Sequence, residues 1–387
     1  MSRIIIVGAG VGGLCLAQGL ARAGIAFEVL EADAGPWIRG QGYRLRIDAM
    51  GQQALRDCLP TGSFALFQAS CAVSGSGRFV DAQLRPLRER RPDSWRENAV
   101  EGEPDGDMSA DRQVLRDILS HGLAPQIRWG CRATRCEREG DGIAVHCEDG
   151  RVFRGDLAVA ADGLRSALRR QWLPQAEPES IGALNIYGKV PLADAGALEP
   201  VMLAGPTVAF ADGCTLVVEP MRFRAGMAEL ADRHAPGCRL SEPGDYLYWA
   251  LFGRTERLGG PLGPDGDEEG LRQRLQAVSR DWHPSLSGLL ARSAPASILG
   301  REARMAAGVP VWRAGRLTAL GDAIHAMSPA GGVGANTALA DAAMLARCLA
   351  EDGVEPAVAR YEAGMRMRAE QALAQTRAGT ERLLRLE

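Results

Sequence analysis

Residues 3–31 read RIIIV GAGVGG LCLAQGLARAG IAFEVLE, and this stretch decides the fold. Arg3–Val7 is a run of β-branched residues without polar alternation, the pattern of a parallel strand buried on both faces. Gly8-Ala-Gly10-Val-Gly12-Gly13 fits G-x-G-x-x-G, and an Ala/Leu-rich helix follows to about Ala23, with Gly24 as its stop. A second strand, Ala26–Leu30, delivers Glu31. Small residues are required where the chain turns tightly, where backbone approaches a diphosphate and where helix packs on strand. The helix start adds free N–H groups and a positive dipole end. Glu31 can accept from ribose hydroxyls and would repel a 2′-phosphate. The stretch therefore predicts a βαβ unit binding a dinucleotide through Gly8, Gly10, Gly13 and Glu31, without choosing between NAD and FAD.

Composition narrows the rest. The chain has 387 residues, 46% apolar and 24% charged, with a net charge of −3. These values suit one or two globular domains with a large core. They give no electrostatic reason to expect nucleic acid or an anionic membrane. Nine cysteines are scattered without a CxxC pair, and Cys131/Cys136 has no matching pair downstream, so no metal site is expected. Buried thiols in a reducing cytosol are the simpler reading. Ile4–Val7 is too short for a signal segment, and no stretch reaches a membrane span, so a cytoplasmic protein is expected.

Further along, the pattern predicts a strand at Tyr43–Ile47, a helix at Met50–Cys58 and a charged, Pro/Gly-rich excursion over 85–110. A helix is expected to begin at Ser109 as N-cap and run to about His121, followed by strands at Ile127–Glu137, Ile143–Glu148 and Arg151–Arg154. The last two turn on Asp149-Gly150. Leu157–Ala161 reads as another buried strand. Apolar alternation over 183–191, 207–224 and 245–254 predicts an antiparallel sheet with one covered face. A helix over 267–282, a buried strand at Leu317–Leu320 and two long helices (about 336–350 and 355–385) complete the chain.

Three more segments carry a resemblance. Ala160-Ala161-Asp162-Gly163-Leu164-Arg165-Ser166 ends a buried strand, with Ser166 placed to cap the next helix. Gly321-Asp322-Ala323-Ile324-His325 is followed by Ser328-Pro329-Ala330-Gly331-Gly332-Val333-Gly334-Ala335-Asn336, a glycine-dense loop that opens a helix. Asp111-Arg112-Gln113-Val114-Leu115-Arg116 starts a third. Together with the N-terminal fingerprint these resemble the flavin-dependent aromatic hydroxylases, the single-component FAD monooxygenases with the para-hydroxybenzoate hydroxylase fold. Ala160 stands where family members often carry Gly. The resemblance implies an α/β chain: a Rossmann-like (GR2-type) FAD-binding domain with an inserted antiparallel-sheet substrate domain and C-terminal helices. The expected division is 1–70, 100–180 and 300–387 for the discontinuous FAD-binding domain, with 71–99 and 181–299 for the substrate sheet.

The resemblance further implies that Asp162 serves the diphosphate region and Arg112 the ribityl–phosphate region. Gly321 and Asp322 would serve the ribityl hydroxyls. Pro329, Gly332, Gly334, Ala335 and Asn336 would surround the N1–C2=O edge of the isoalloxazine, where bare N–H groups suit the charge of the reduced ring. With one fingerprint only, NAD(P)H would be a transient co-substrate. Reduced flavin and O2 would give a C4a-hydroperoxide that hydroxylates an aromatic or polycyclic small molecule. Alternatives on the same scaffold are epoxidation, Baeyer–Villiger insertion, oxidative decarboxylation and flavin-dependent reduction. From another class stands a non-catalytic FAD-binding module. The halogenase element Trp-x-Trp-x-Ile-Pro is missing. Arg44, Arg46, Tyr187, Arg222 and Tyr248 are pocket candidates, with Phe210, Glu219, Tyr246 and Trp249 from the same sheet. Arg44 and Arg46 could equally sit in ion pairs, and His325 reads as packing against the loop rather than as a base. No residue is assigned as the catalytic base.

Overall fold

The computed structural model describes residues 2–37, 42–73, 75–87, 106–196, 198–263, 267–313 and 315–384. The β-branched run at the N-terminus becomes the centre of a five-stranded parallel sheet. Its order is Leu317–Ala319, Leu157–Ala160, Arg3–Val7, Ala26–Leu30, Ile127–Arg128. Ile4, Ile5 and Ile6 are fully buried there, as expected for a strand covered on both faces. The helices Val11–Arg22, Gly334–Glu351 and Val354–Leu384 pack over this sheet and share its core.

The second large sheet has six strands. Its order is Leu299–Met305, Glu179–Pro191, Tyr246–Arg254, Cys214–Met221, Thr207–Ala211, Arg78–Asp81, antiparallel except for the last pair. Period-2 alternation sorts its side chains. Leu184, Ile186, Leu216, Val218, Trp249 and Leu251 lie in a separate apolar core on one face. The opposite face carries three registered rows. One is Lys189, Tyr248, Glu219; the middle one is Tyr187, Ala250, Val217, Val208, Phe79; the third is Asn185, Phe252, Thr215, Phe210. A three-stranded meander (Ala133–Glu139, Gly142–Cys147, Val152–Gly155) and a two-stranded pair (Arg44–Ile47 with Met108–Asp111) complete the sheets.

Several boundaries differ from the sequence reading. Ser109 lies inside the strand Met108–Asp111, and Asp111 is the cap: its carboxylate accepts from the N–H groups of Gln113 and Val114, and the helix runs Arg112–Ser120. Aspartate two residues on outcompetes serine because Ser109 is used by the strand pairing and by Glu219. The strand expected over 127–137 is two, Ile127–Arg128 and Ala133–Glu139, in different sheets. Thr61–Ser70 forms a helix that no amphipathic period announces, since Leu66, across the helix from Phe64, is buried as well. The helix expected over 267–282 stops at Val278, and Pro284 starts another, Pro284–Ala291. Most of the 85–110 excursion lies outside the described residues. All nine cysteines are free and buried. Among the described residues there is no metal-binding cluster and no helix long and apolar enough to cross a membrane.

Candidate active site

The site begins at the turn after the first strand. Gly8 has φ +111°, and a Cβ there would lie 2.3 Å from the Ala161 carbonyl oxygen; a Cβ on Gly13 would lie 2.1 Å from the Gly8 carbonyl oxygen. These two glycines let two strand ends and a helix meet. Gly10 differs: a Cβ there would meet nothing within 4 Å. It is the N-cap of Val11–Arg22, and no side chain caps that helix. The helix start therefore faces open space with free donors, a receptor for an anion.

Glu31 is buried. It accepts from the Ala9 N–H at 2.7 Å and the Asp33 N–H at 2.9 Å, so it clamps the loop. Arg116 braces the same corner, donating to the carbonyls of Ala9 (3.0 Å) and Pro36 (2.9 Å) and lying 3.6 Å from Glu31. It was not anticipated from the sequence, although it sits one turn after Arg112. Asp162 caps the next helix from a distance, accepting from the Ala167 N–H at 3.0 Å, and Ser166 accepts from the Arg169 N–H at 3.0 Å. The other Asp162 oxygen, Oδ1, is buried without a partner. Burial raises the Asp162 pKa above the ordinary carboxylate value.

Asp322 follows Gly321, whose φ of +62° turns the chain out of the strand Leu317–Ala319. By surface area Asp322 is exposed, yet burial pushes its carboxyl pKa up. The nearby His325 and Arg112 charges pull it down, and burial outweighs them. Asp322 makes no hydrogen bond among the described residues. Its Oδ1 lies 3.8 Å from the place a Gly334 Cβ would take, beside the start of the helix Gly334–Glu351, which no side chain caps. Arg112 is similar: half-buried, with its pKa lowered by burial and sustained by Asp322, and without a side-chain partner among the described residues.

Two buried networks hold this corner. Asp341 accepts from Arg368 Nη2 at 2.7 Å and the Gly321 N–H at 3.3 Å, and its Oδ2 lies 2.5 Å from His325 Nε2. Burial opposes the charge on His325, but Asp341 overrides it and the histidine pKa is raised. Asn336 donates to the carbonyls of Arg46 (3.0 Å) and Gly332 (3.4 Å) and accepts from the Asp48 N–H at 3.1 Å. Its amide is thus spent on tying the 329–336 loop to the strand Arg44–Ile47. Pro329 begins a 3₁₀ turn that ends at Gly332 with φ +60°, and Ala335 follows Gly334 in the first turn of the helix.

The other face of the six-stranded sheet, covered in part by Leu383 and Leu384 at the end of the helix Val354–Leu384, looks toward the same place. Arg44 pairs with buried Glu219 at 2.8 Å, and Glu219 also accepts from the Ser109 hydroxyl. Arg46 pairs with Asp107 at 2.7 Å. Tyr246 donates to Asp111 at 2.8 Å and Tyr43 to the Ser297 carbonyl at 2.8 Å. Tyr187 and Tyr248 are different: neither hydroxyl has a hydrogen-bond partner among the described residues. Burial raises both pKa values, that of Tyr248 to about 12, while the nearby Arg112 charge pulls each down. Arg222 is exposed beyond the strand end and does not join this cluster. Trp249 lies on the opposite face, donating to Ser293 at 2.9 Å.

The residues fit FAD. The chain offers an uncapped helix start beside Gly10, an orphaned Asp162 oxygen near Gly8, an Arg112 and an Asp322 that sense each other's charge and have no side-chain partner among the described residues, and a second uncapped helix start beside Asp322. These offer what a diphosphate, a polyol and an anionic ring edge each need.

Known proteins point the same way. The FAD binding domain family matches residues 259–376. The dual O-methyltransferase/FAD-dependent monooxygenase CTB3 of Cercospora beticola is 33% identical over 98% of this chain and 46% of its own length. The chain thus spans about half the length of that relative. The aurachin C monooxygenase/isomerase of Stigmatella aurantiaca is 30% identical over 93% of this chain and 84% of its own length. The fold matches that of Klebsiella pneumoniae HpxO in complex with FAD and uric acid, with a TM-score of 0.77, 22% identity and coverage of 99% and 89%.

Proposed function

The chain belongs to the single-component FAD-dependent monooxygenases of the aromatic hydroxylase type, and on that premise we propose that it uses NAD(P)H and O2 to hydroxylate an aromatic or polycyclic small molecule. When bound, FAD supplies the redox chemistry, taking hydride and passing one oxygen atom of O2 to the substrate. The protein's part is binding, orientation and exclusion of water.

In this reading the helix start beside Gly10, with Gly8 and Gly13 shaping the turn, holds the diphosphate, and Glu31 faces the adenosine ribose. Asp162 serves the diphosphate side, and Arg112 and Asp322 the ribityl–phosphate stretch. The 329–336 loop, held by Asn336, presents its N–H groups to the ring edge. The division into a discontinuous cofactor-holding part and a sheet part that covers the substrate belongs to the same proposal.

One observation supports the substrate reading: small Ala250 stands in the middle row between Tyr187 and Val217 and two residues along its strand from Tyr248, and neither tyrosine hydroxyl has a hydrogen-bond partner among the described residues. A flat ring fits along such a row, and its oxygen substituents would find Tyr187 and Tyr248. The decisive experiment is a screen of phenols and polycyclic aromatics for substrate-stimulated NAD(P)H oxidation with O2 uptake, peroxide being measured alongside. Coupled uptake with a hydroxylated product is expected. A flavin that stays oxidised with NAD(P)H and every substrate would overturn the enzymatic reading, and an epoxide, lactone or decarboxylated product would redirect it.

A further inference from the structure

The sheet face that carries Tyr187 and Tyr248 also holds a buried ion pair. Glu219 stands directly across from Tyr248 in the register of the strands Cys214–Met221 and Tyr246–Arg254. Its side chain is 2% exposed, and both oxygens are occupied: Oε2 accepts from Arg44 Nη2 at 2.8 Å and Oε1 from the Ser109 hydroxyl. Arg44 Nη2 also lies 3.3 Å from Ser109 Oγ, so strands of two sheets hold the guanidinium. A buried ion pair gains little over apolar side chains of the same volume. Its place on a floor beside Ala250 and Val217 therefore points to a use other than stability.

The pair bears on Tyr248 unequally. Burial lifts that hydroxyl's pKa; among the charges Arg44 acts most strongly, pulling it down, while Tyr187 and Glu219 push it up and Arg112 pulls it down less. The arginine end of the pair is thus the one the hydroxyl feels. Tyr187 answers instead to Arg301 and Arg112. Lys189, the third member of the row, has its ammonium over the rings of Tyr43 and Tyr246. Arg112 belongs to the cofactor in the reading given above, so the cation left for a ligand at Tyr248 is Arg44. Its Nε is buried without a partner, and a buried donor calls for an acceptor. A carboxylate on this floor is the obvious candidate for a base. Glu219 is poorly placed for that work, because a proton on it would strip Arg44 of its counter-ion.

We propose that Arg44 and Tyr248 form a seat for an oxyanion, selecting substrates whose hydroxyl binds ionised (a phenolate or an enolate), and that Glu219 is a positioning residue rather than the base. Arg44 contributes the charge and Tyr248 the hydrogen bond, while Glu219 holds Arg44 and tempers its charge. The substrate's proton leaves to water as the anion binds. The inference rests on the aromatic substrate reading given above, but its test needs no turnover. 4-Nitrophenol, whose anion is yellow and whose neutral form is colourless, is titrated with pH on the FAD-loaded protein. 4-Nitroanisole, which cannot ionise, is the control. The anion should bind roughly tenfold or more tighter than the anisole, and the bound pKa should lie about one unit or more below the free value. Arg44→Met should raise the bound pKa and weaken the anion with little effect on the anisole. Glu219→Gln, which removes the opposing charge but keeps an acceptor for Arg44, should lower the bound pKa further. Where Arg44→Met fails to fold because Glu219 is left unpaired, the neutral pair Arg44→Met/Glu219→Gln should fold and move the bound pKa back toward the free value. A pair that served the fold alone would not shift the two single variants in opposite directions. A raised bound pKa in Glu219→Gln would make Glu219 the base and overturn the proposal. So would equal affinity for anion and anisole, or binding of neither. The expected shifts without O2 uptake in the substrate screen would keep the oxyanion seat and sink the hydroxylase reading; preferred hydroxylation of an aromatic without an ionisable hydroxyl would do the reverse.

Discussion

A single methyl group added at Gly8 would lie 2.3 Å from a carbonyl oxygen, whereas on one face of the six-stranded sheet two tyrosine hydroxyls have no hydrogen-bond partner among the described residues. The first region is backbone packed on backbone, and in the proposed reading main-chain N–H groups at its helix starts bind the cofactor. The second is a sheet face whose tyrosine hydroxyls are proposed to meet a substrate. Tight packing allows little variation, so a substitution at the turn acts on the fold and the cofactor together. Free polar groups contribute little to stability, so a substitution there acts on recognition alone.

The widest separation is expected within the fingerprint itself. Gly8→Ala forces a Cβ into the Ala161 carbonyl at a φ that L-residues avoid, and a loss of about 3 kcal/mol or more is expected. Gly10→Ala meets open space at φ −75° and should fold normally while losing FAD, because its Cβ projects where the diphosphate must approach. Urea unfolding together with flavin content checks both. Equal destabilisation by the two would erase the distinction between packing and binding glycines.

Next in size is the buried network behind Asp322. Asp341→Asn removes the charge that holds His325 and Arg368, and breaking a buried pair of this kind costs about 3–5 kcal/mol, the low end applying because Arg368 is partly exposed. His325 also gives the loss a pH dependence. Its folded pKa is raised, so its stabilising share is fully present below the unfolded value of about 6.5 and disappears as pH rises through the folded value. The gap between wild type and Asp341→Asn in urea unfolding should therefore narrow from mildly acidic to alkaline pH. A gap that widens would remove His325 from the network.

How much of this was readable beforehand follows the same division. The turn glycines and Glu31 were legible as a strand–turn–helix–strand unit because close backbone approach restricts residue type at fixed spacing, whereas Asp162 and Asp322 were singled out by a family resemblance. Asp341 was not: it lies mid-helix in an Ala/Leu stretch, and only the fold brings it to His325 and Gly321. Lys189 and Glu219 sit in strands whose alternation tells which face they occupy but not what lies opposite. Arg44 and Arg46 were left open between cavity and ion pairs, and both turn out paired, Arg44 with a residue 175 positions away in the chain. Ser109 was misread as a cap because a strand partner in another part of the chain claimed it.

Asp322→Asn tests the cleft from the other side. Its folded pKa is raised, so the carboxylate destabilises the cofactor-free fold above the unfolded pKa of about 3.9, and at neutral pH the amide should unfold at slightly higher urea. FAD affinity should fall roughly tenfold or more, as for the loss of a charged acceptor. Stability and binding thus move in opposite directions, as expected of a group kept for function. A variant that loses both would make Asp322 a structural residue.

The smallest expected change in stability is the most telling for the sheet. Tyr248→Phe deletes a hydroxyl with no hydrogen-bond partner among the described residues, so unfolding should shift by no more than ~0.5 kcal/mol, and FAD retention should stay the same. Tyr246→Phe, one row position away on the same strand, removes the donor to buried Asp111 and should cost about 1–3 kcal/mol. The contrast should reverse with substrate: Tyr248→Phe should raise KM and release more peroxide per NAD(P)H consumed, while any Tyr246→Phe defect should follow its stability. Measured side by side, a pair of Tyr→Phe variants on one strand thus distinguishes a hydroxyl kept for the fold from one kept for a ligand. If Tyr248→Phe destabilised as much as Tyr246→Phe and left coupling intact, this face of the sheet would be a second core rather than a binding floor.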